Sequence, residues 1–200
     1  MSAKFWRAAS VASLCLFAAC QSSPPTRYFA LTEIGATTAP ARQPAQIPIR
    51  VERITIPGEL DRLELVRRSS SNQLQIAVFD RWAASLEDMI RRVVAADLAA
   101  RFPTGMIAST NEPAVGEPRR HLYIDVQEFA GDEHGRVTLR AGWLLQTANA
   151  PSIRGTEEVQ VGAGDATSDA LAAAMSRALA DLTERIAAAL APHLASEKSE

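Results

Sequence analysis

Residues 72–103 read NQLQIAVFDRWAASLEDMIRRVVAADLAARFP, a short apolar run that passes into one long amphipathic stripe. Trp82, Leu86, Met89, Ile90, Val93, Val94, Leu98 and Phe102 recur every three or four residues, the spacing of a single helix face. Just before them Leu74, Ile76 and Val78 alternate with Gln75 and Ala77, the period of a half-buried strand. Asp80 stands where an N-cap carboxylate would accept from the first-turn N–H groups, and Pro103 disfavours helical geometry at Phe102 and so ends the helix. On the polar face Glu87–Arg91, Asp88–Arg92 and Asp97–Arg101 are spaced i,i+4 with the acid first, solvent-facing pairs expected to contribute about 0.3 kcal/mol each.

Upstream, residues 27–33 form an alternating first strand, residues 35–46 read as a loop, and residues 47–56 form a second strand. Its phase slips at Arg53, the mark of a bulge. Leu63, Leu65 and Arg67 share a face of a third strand. Downstream of a short strand at 105–108, residues 121–129 and 137–145 alternate on either side of the turn GDEHG, a hairpin, and residues 153–161 form a weaker last strand. Thr167 or Ser168 caps a final helix whose stripe is Leu171, Met175, Leu179, Leu182, Ile186 and Leu190, with Pro192 just beyond it. The expected fold is α+β: a mixed, largely antiparallel sheet with two long amphipathic helices packed on it. It forms one domain over residues 27–195, followed by a charged tail at 196–200.

The composition fits one well-cored domain: 200 residues, 47% hydrophobic and 22% charged. A formal charge of -2 and a pI near 6.0 leave no basic footprint for phosphates, so nucleic acid is not an expected partner. Residues 1–19 are of another kind. Lys4 and Arg7 precede an apolar run from Ala8 to Ala19, too short to cross a bilayer, and Ala18-Ala19-Cys20 forms a small-residue cleavage site ending in cysteine. This is a lipoprotein signal peptide, leaving Cys20 to carry a diacylglycerol thioether and an N-acyl chain such as palmitate, with residues 20–26 as tether. The alternative is an ordinary secretory signal cut near Ala19, which leaves a free thiol. Cys15 departs with the signal, so the mature chain holds one cysteine and no internal disulfide. Its 19 Lys+Arg against 23 acids give a formal -4, so acyl chains rather than charge would do the anchoring. Gln21 after the cysteine favours the outer membrane by analogy with enterobacterial sorting.

No catalytic constellation appears. His121, His134 and His193 lack ligand spacing, so no metal is expected; Gly162-Ala163-Gly164 and Asp132-Glu133-His134 read as turns; Ser69–Ser71 read as loop residues. Asp61–Arg62 and Asp80–Arg81 are explained as structural ion pairs, and Trp82 as a core anchor. An enzyme is therefore not expected, and no cofactor beyond the acyl chains.

These residues carry a resemblance. Ile56-Pro57, Leu60-Asp61-Arg62 and Leu65-Val66-Arg67-Arg68, then Asn72 to Ile76 and Phe79-Asp80-Arg81-Trp82-Ala83 through Leu86, resemble the PqiC-type ABC-transport auxiliary lipoproteins. Tyr28-Phe29-Ala30-Leu31 soon after the lipobox fits the same pattern. Gly58-Glu59, where relatives carry an aromatic, and Ala84-Ser85, where Glu-Pro is common, depart from it. The resemblance implies a non-catalytic, periplasm-facing subunit of an MCE-domain lipid transport system, docking the transport tunnel at the outer membrane and supporting membrane integrity. It also admits homo-oligomeric rings, for which the alanine-rich residues 170–191 suit close packing. Leu60, Asp61, Arg62, Arg67, Arg68, Phe79, Arg81 and Trp82 are the expected partner-binding surface. The competing expectation is a structural envelope lipoprotein that aids outer-membrane assembly without moving lipid.

Overall fold

The computed structural model describes residues 23–35, 48–102, 106–109, 120–148 and 150–196. The signal sequence, Cys20, the greater part of the loop expected at 35–46, Pro103 and the tail beyond Ser196 lie outside the described residues. Strands β1 (Arg27–Phe29), β2 (Ile49–Thr55), β3 (Glu64–Ser70) and β4 (Gln73–Trp82) precede helix α1 (Leu86–Arg101). β5 (Ile107–Ser109), β6 (Arg120–Asp132), β7 (Arg136–Thr147), β8 (Ile153–Gly162) and helix α2 (Ser168–Ser196) follow. All eight strands join one mixed sheet, so the architecture is α+β.

β6 is its spine. Along one edge it pairs in parallel first with β2 and then, at Gly131–Asp132, with β3; its other edge carries β7, and β7 carries β8, both antiparallel. β4 lies antiparallel outside β3, and β1 lies parallel outside β4. Leu122, Ile124 and Val126 of β6 face the helices with Val137, Leu139, Ala141 and Leu145 of β7, all buried. A register break between Val126 and Glu128 then turns Phe129 to the same side, and the break expected near Arg53 falls between Val51 and Ile54. α1 packs chiefly on β2, α2 on β7 and β8, and the two helices touch each other, closing one core.

α2 follows its sequence pattern. The Thr167 hydroxyl accepts the Ala170 N–H at 3.2 Å, and Leu171, Met175, Leu179, Leu182, Ile186 and Leu190 are buried. Ala174 and Ala178 are sealed between these layers and pack inside the chain, while Ala173, Ala188 and Ala191 are exposed. The helix runs through Pro192 rather than closing before it, since Leu194 is buried beyond the proline and packing offsets the lost backbone bond.

The first helix begins later than its stripe implies. Trp82 is the last residue of β4, Ser85 is the N-cap position, and Asp80 lies within the strand rather than capping anything. Trp82 reaches the core from a strand end, and its four-residue offset from Leu86 imitates one helical step. The i,i+4 pairs do not form either. Glu87 holds Arg53 bidentately at 2.8 and 3.0 Å, Arg91 pairs with Asp88, Arg92 turns to Glu33 and the Leu31 carbonyl, and Asp97 is buried. For Glu87 and Arg92, tertiary partners held by the fold outcompete exposed pairs of a few tenths of a kcal/mol, while Arg91 takes the i,i+3 partner Asp88.

A third departure concerns β4 itself. Leu74, Ile76 and Val78 are 36%, 43% and 62% exposed, not half-buried against the core. The β3–β4 hairpin meets the helices chiefly through the hydrogen bonds of Arg67 and Asp80 to Ser168, and only its inner end, at Leu65, Val66 and Trp82, reaches the core.

Candidate functional site

The chain enters the fold at β1, and a polar knot fixes it there. Arg27 donates two hydrogen bonds of 2.8 Å to the carboxylate of Asp80 on β4, which also accepts from the Ser168 hydroxyl at 2.5 Å, at the start of α2. Arg67 of β3 donates to the same hydroxyl at 2.9 Å and to the Ala166 carbonyl. The Arg27 hydrogen bonds hold the Asp80 carboxyl below the usual carboxylate range, helped by Ser168 and the charge of Arg67 and opposed by partial burial. One side chain thus ties β1, β4, β3 and α2 together.

Beyond β1 the chain is strapped over the helices. Leu31 is buried, the Thr32 N–H donates to Ser176 Oγ at 3.1 Å, and the Ile34 N–H donates to Asp97 Oδ1 at 2.9 Å. Burial raises the pKa of Asp97; the Ile34 N–H and Arg101 pull the other way.

The sheet face away from the helices carries charge in rows. Arg68, Glu128, Arg140 and Glu158 alternate across β3, β6, β7 and β8 with separations of 3.6, 3.4 and 3.2 Å. Beside this ladder Gly142 leaves a hollow of about 360 Å³, lined by Thr55, Tyr123, Asp125, Leu144 and Arg154 among others. Trp143 lies against Gly155, where any added Cβ would come within 2.6 Å of its ring.

The residues expected to bind a partner divide by burial. Leu60 and Trp82 are buried, at 6% and 3% exposure, and support the surface from beneath. Arg67 is committed to α2. Asp61, Arg62 and Phe79 are exposed, and Arg62 has no side-chain partner among the described residues. Arg81 bonds Glu64 at 2.8 Å across the base of the hairpin, so the ion pairs join Asp80 to Arg27 and Arg81 to Glu64 rather than sequence neighbours. Asp132 folds the β6–β7 turn by accepting the His134 and Arg136 N–H groups at 2.9 and 2.8 Å. Among the described residues no three His, Cys, Asp or Glu side chains gather to hold a metal, and no helix is long and apolar enough to cross a membrane.

The knot was not legible as a site. Arg27 and Asp80 lie 53 residues apart and Asp80 and Ser168 lie 88 apart, with no local pattern linking them.

Comparison with known proteins decides what this scaffold is. The model of the ABC-type transport auxiliary lipoprotein component family matches residues 29–187, from β1 through most of α2. The chain belongs to that family. It is 28% identical over 137 residues to the intermembrane transport lipoprotein PqiC of Escherichia coli K12, and equally to that of Shigella flexneri, covering 68% of this chain and 71% of theirs. The fold recurs in solved structures. A crystal structure of an uncharacterized protein superposes with a TM-score of 0.68 at 20% identity, covering 82% of this chain and 97% of that one. A Xanthomonas campestris protein gives 0.66 at 19%, covering 87% and 99%. As a family member, the chain is an auxiliary lipoprotein component of a transport system; the matched span takes in the β3–β4 hairpin and, of the knot, Arg67, Asp80 and Ser168, while Arg27 lies just before it.

Proposed function

We propose that this protein is a non-catalytic, lipid-anchored subunit of an intermembrane lipid transport system, acting beside an MCE-domain partner. The signal peptide is removed, Cys20 carries the acyl chains, and the domain sits on the periplasmic face of the outer membrane, where it receives the end of the transport tunnel. The observation that carries this reading is the family match over residues 29–187, together with the PqiC relatives named for intermembrane transport.

The described geometry supports contact rather than chemistry. Its charged side chains are largely paired with one another, and the acid, serine and histidine clusters serve turns and strand ends. Asp61, Arg62 and Phe79 are the exposed members of the docking surface, with half-buried Arg81 at the base of the hairpin and half-buried Arg68 near its turn. Leu60, Arg67 and Trp82 hold that surface in place.

Affinity purification from detergent-solubilised native membranes, with mass spectrometry of the partners and of the mature N-terminal peptide, tests the reading. An acylated Cys20 together with an MCE-domain protein supports it. Acylation without a transport partner would favour the structural envelope lipoprotein instead.

A further inference from the structure

β4 is an unusual outer strand. Outer strands are normally protected by charge, proline or brevity, because an open row of backbone groups invites pairing with other chains. Among the described residues β1 covers β4 only at Asp80–Trp82, leaving Gln73–Phe79 without an outer neighbour. The exposed side chains of that stretch are apolar rather than charged at Leu74, Ile76, Val78 and Phe79. Register identifies the face. Arg67, which reaches α2, lies opposite Gln75, whereas Arg68 lies opposite Leu74 and Val66 opposite Ile76, so Leu74 and Ile76 point away from the helices, and Val78, in the register break before Arg81, is exposed beside them.

The route of the chain says what lies against it. β1 runs parallel to β4 with Arg27 beside Asp80, so the chain approaches β1 from the Val78 side. Cys20 precedes Arg27 by seven residues, a span of at most about 24 Å. From Asp80, Val78 is two strand steps away and Leu74 six, about 7 Å and 20 Å. The whole apolar row therefore lies within tether length of the anchor. Its margins are suited to an interface: Arg68 stands beside Leu74, and Tyr28, 66% exposed, is paired in register with Arg81 next to the bulged end of the strand.

We propose that the β3–β4 hairpin lays Leu74, Ile76 and Val78 on the lipid surface that holds the acylated N-terminus, giving the domain a second membrane contact and a fixed tilt. This rests on acylation of Cys20. A freely swinging domain would present its docking residues in every direction. One seated on anchor and hairpin together presents the base of the hairpin at a constant height.

Acylation supplies its own test, since it blocks the Cys20 thiol and makes an introduced cysteine unique. The full acylated protein carrying Ile76→Cys, labelled with an environment-sensitive NBD fluorophore, is placed in phosphatidylethanolamine–phosphatidylglycerol vesicles containing a doxyl-labelled phospholipid. The same label at Asp181→Cys, on the exposed side of α2, is the control. An apolar face seated about 5–10 Å into the interface should lose about half of its signal at position 76, with little loss at 181. Should the cysteine variant not fold, Leu74→Trp with brominated lipid gives the same contrast, because Trp82 and Trp143 are buried. An acylated protein with no quenching at 76 overturns the hairpin contact and leaves the anchor standing. Signal at 76 that responds to protein concentration but not to the quencher assigns the face to a second copy, and also overturns it. A mature terminus without acyl chains overturns the anchor reading and this proposal together.

Discussion

Asp97 is sealed beneath the strap at Ile34, and Asp80 anchors the knot at Arg27, so two carboxylates of the same kind respond to pH in opposite ways. Burial raises the pKa of Asp97, and its second oxygen has no hydrogen-bond donor among the described residues. A raised pKa means that its contribution is fully present below the unfolded value of about 3.9 and is lost as pH rises through the folded value. Asp97→Asn keeps an acceptor for the Ile34 N–H and removes the charge. Its stability relative to the parent chain should therefore improve as pH rises from about 4 through the folded value and then level off, as read by urea unfolding; a difference independent of pH would contradict the assignment. Gly155 is constrained by shape instead. Gly155→Ala drives a methyl into the ring of buried Trp143 and should cost about 1–3 kcal/mol in the same assay.

At the scale of elements, the knot predicts that β1 depends on one side chain. Asp80→Ala removes the acceptor for both Arg27 and Ser168, so hydrogen exchange should speed up at the Ala83 N–H, which bonds the Phe29 carbonyl, while β6 and β7 keep their protection. The Asp80 pKa is depressed, so this tie is present above about pH 4 and is lost as pH falls through the folded value; acid should loosen β1 before the core. The elements themselves were largely legible. The β6–β7 hairpin, the bulge in β2 and the stripe of α2 follow from period alone, because each buries one continuous face. The start of α1 was not. A buried strand-terminal tryptophan four residues before Leu86 has the same spacing as a helical step, and the aspartate in front of it serves a partner far away in sequence. Nor does alternation tell which face of a strand is covered: Leu74, Ile76 and Val78 have the pattern of a core row but lie on a hairpin that no helix overlies.

Over the whole molecule the sheet has one side committed to two helices and one left to charge rows, a hollow and an apolar hairpin. Membership in the auxiliary lipoprotein family was legible from the residues around Leu60–Arg68 and Phe79–Leu86, because buried Leu60, Leu65 and Trp82 impose a definite pattern there. The proposed docking surface was legible only as a neighbourhood. Burial divides that stretch into supports and contacts, and burial depends on pairings between distant segments. Replacing Arg62 by glutamate should weaken recovery of the transport partner several-fold while leaving the unfolding midpoint unchanged, since Arg62 is exposed and has no side-chain partner among the described residues. The most direct test of the docking role is photo-crosslinking in living cells, with a benzophenone amino acid placed in turn at Arg62, Phe79 and Asp181. Adducts with one MCE-domain protein are expected from positions 62 and 79 and none from 181. Adducts from 62 and 79 with other envelope proteins only, or none at all beside a normally acylated Cys20, would contradict the docking role.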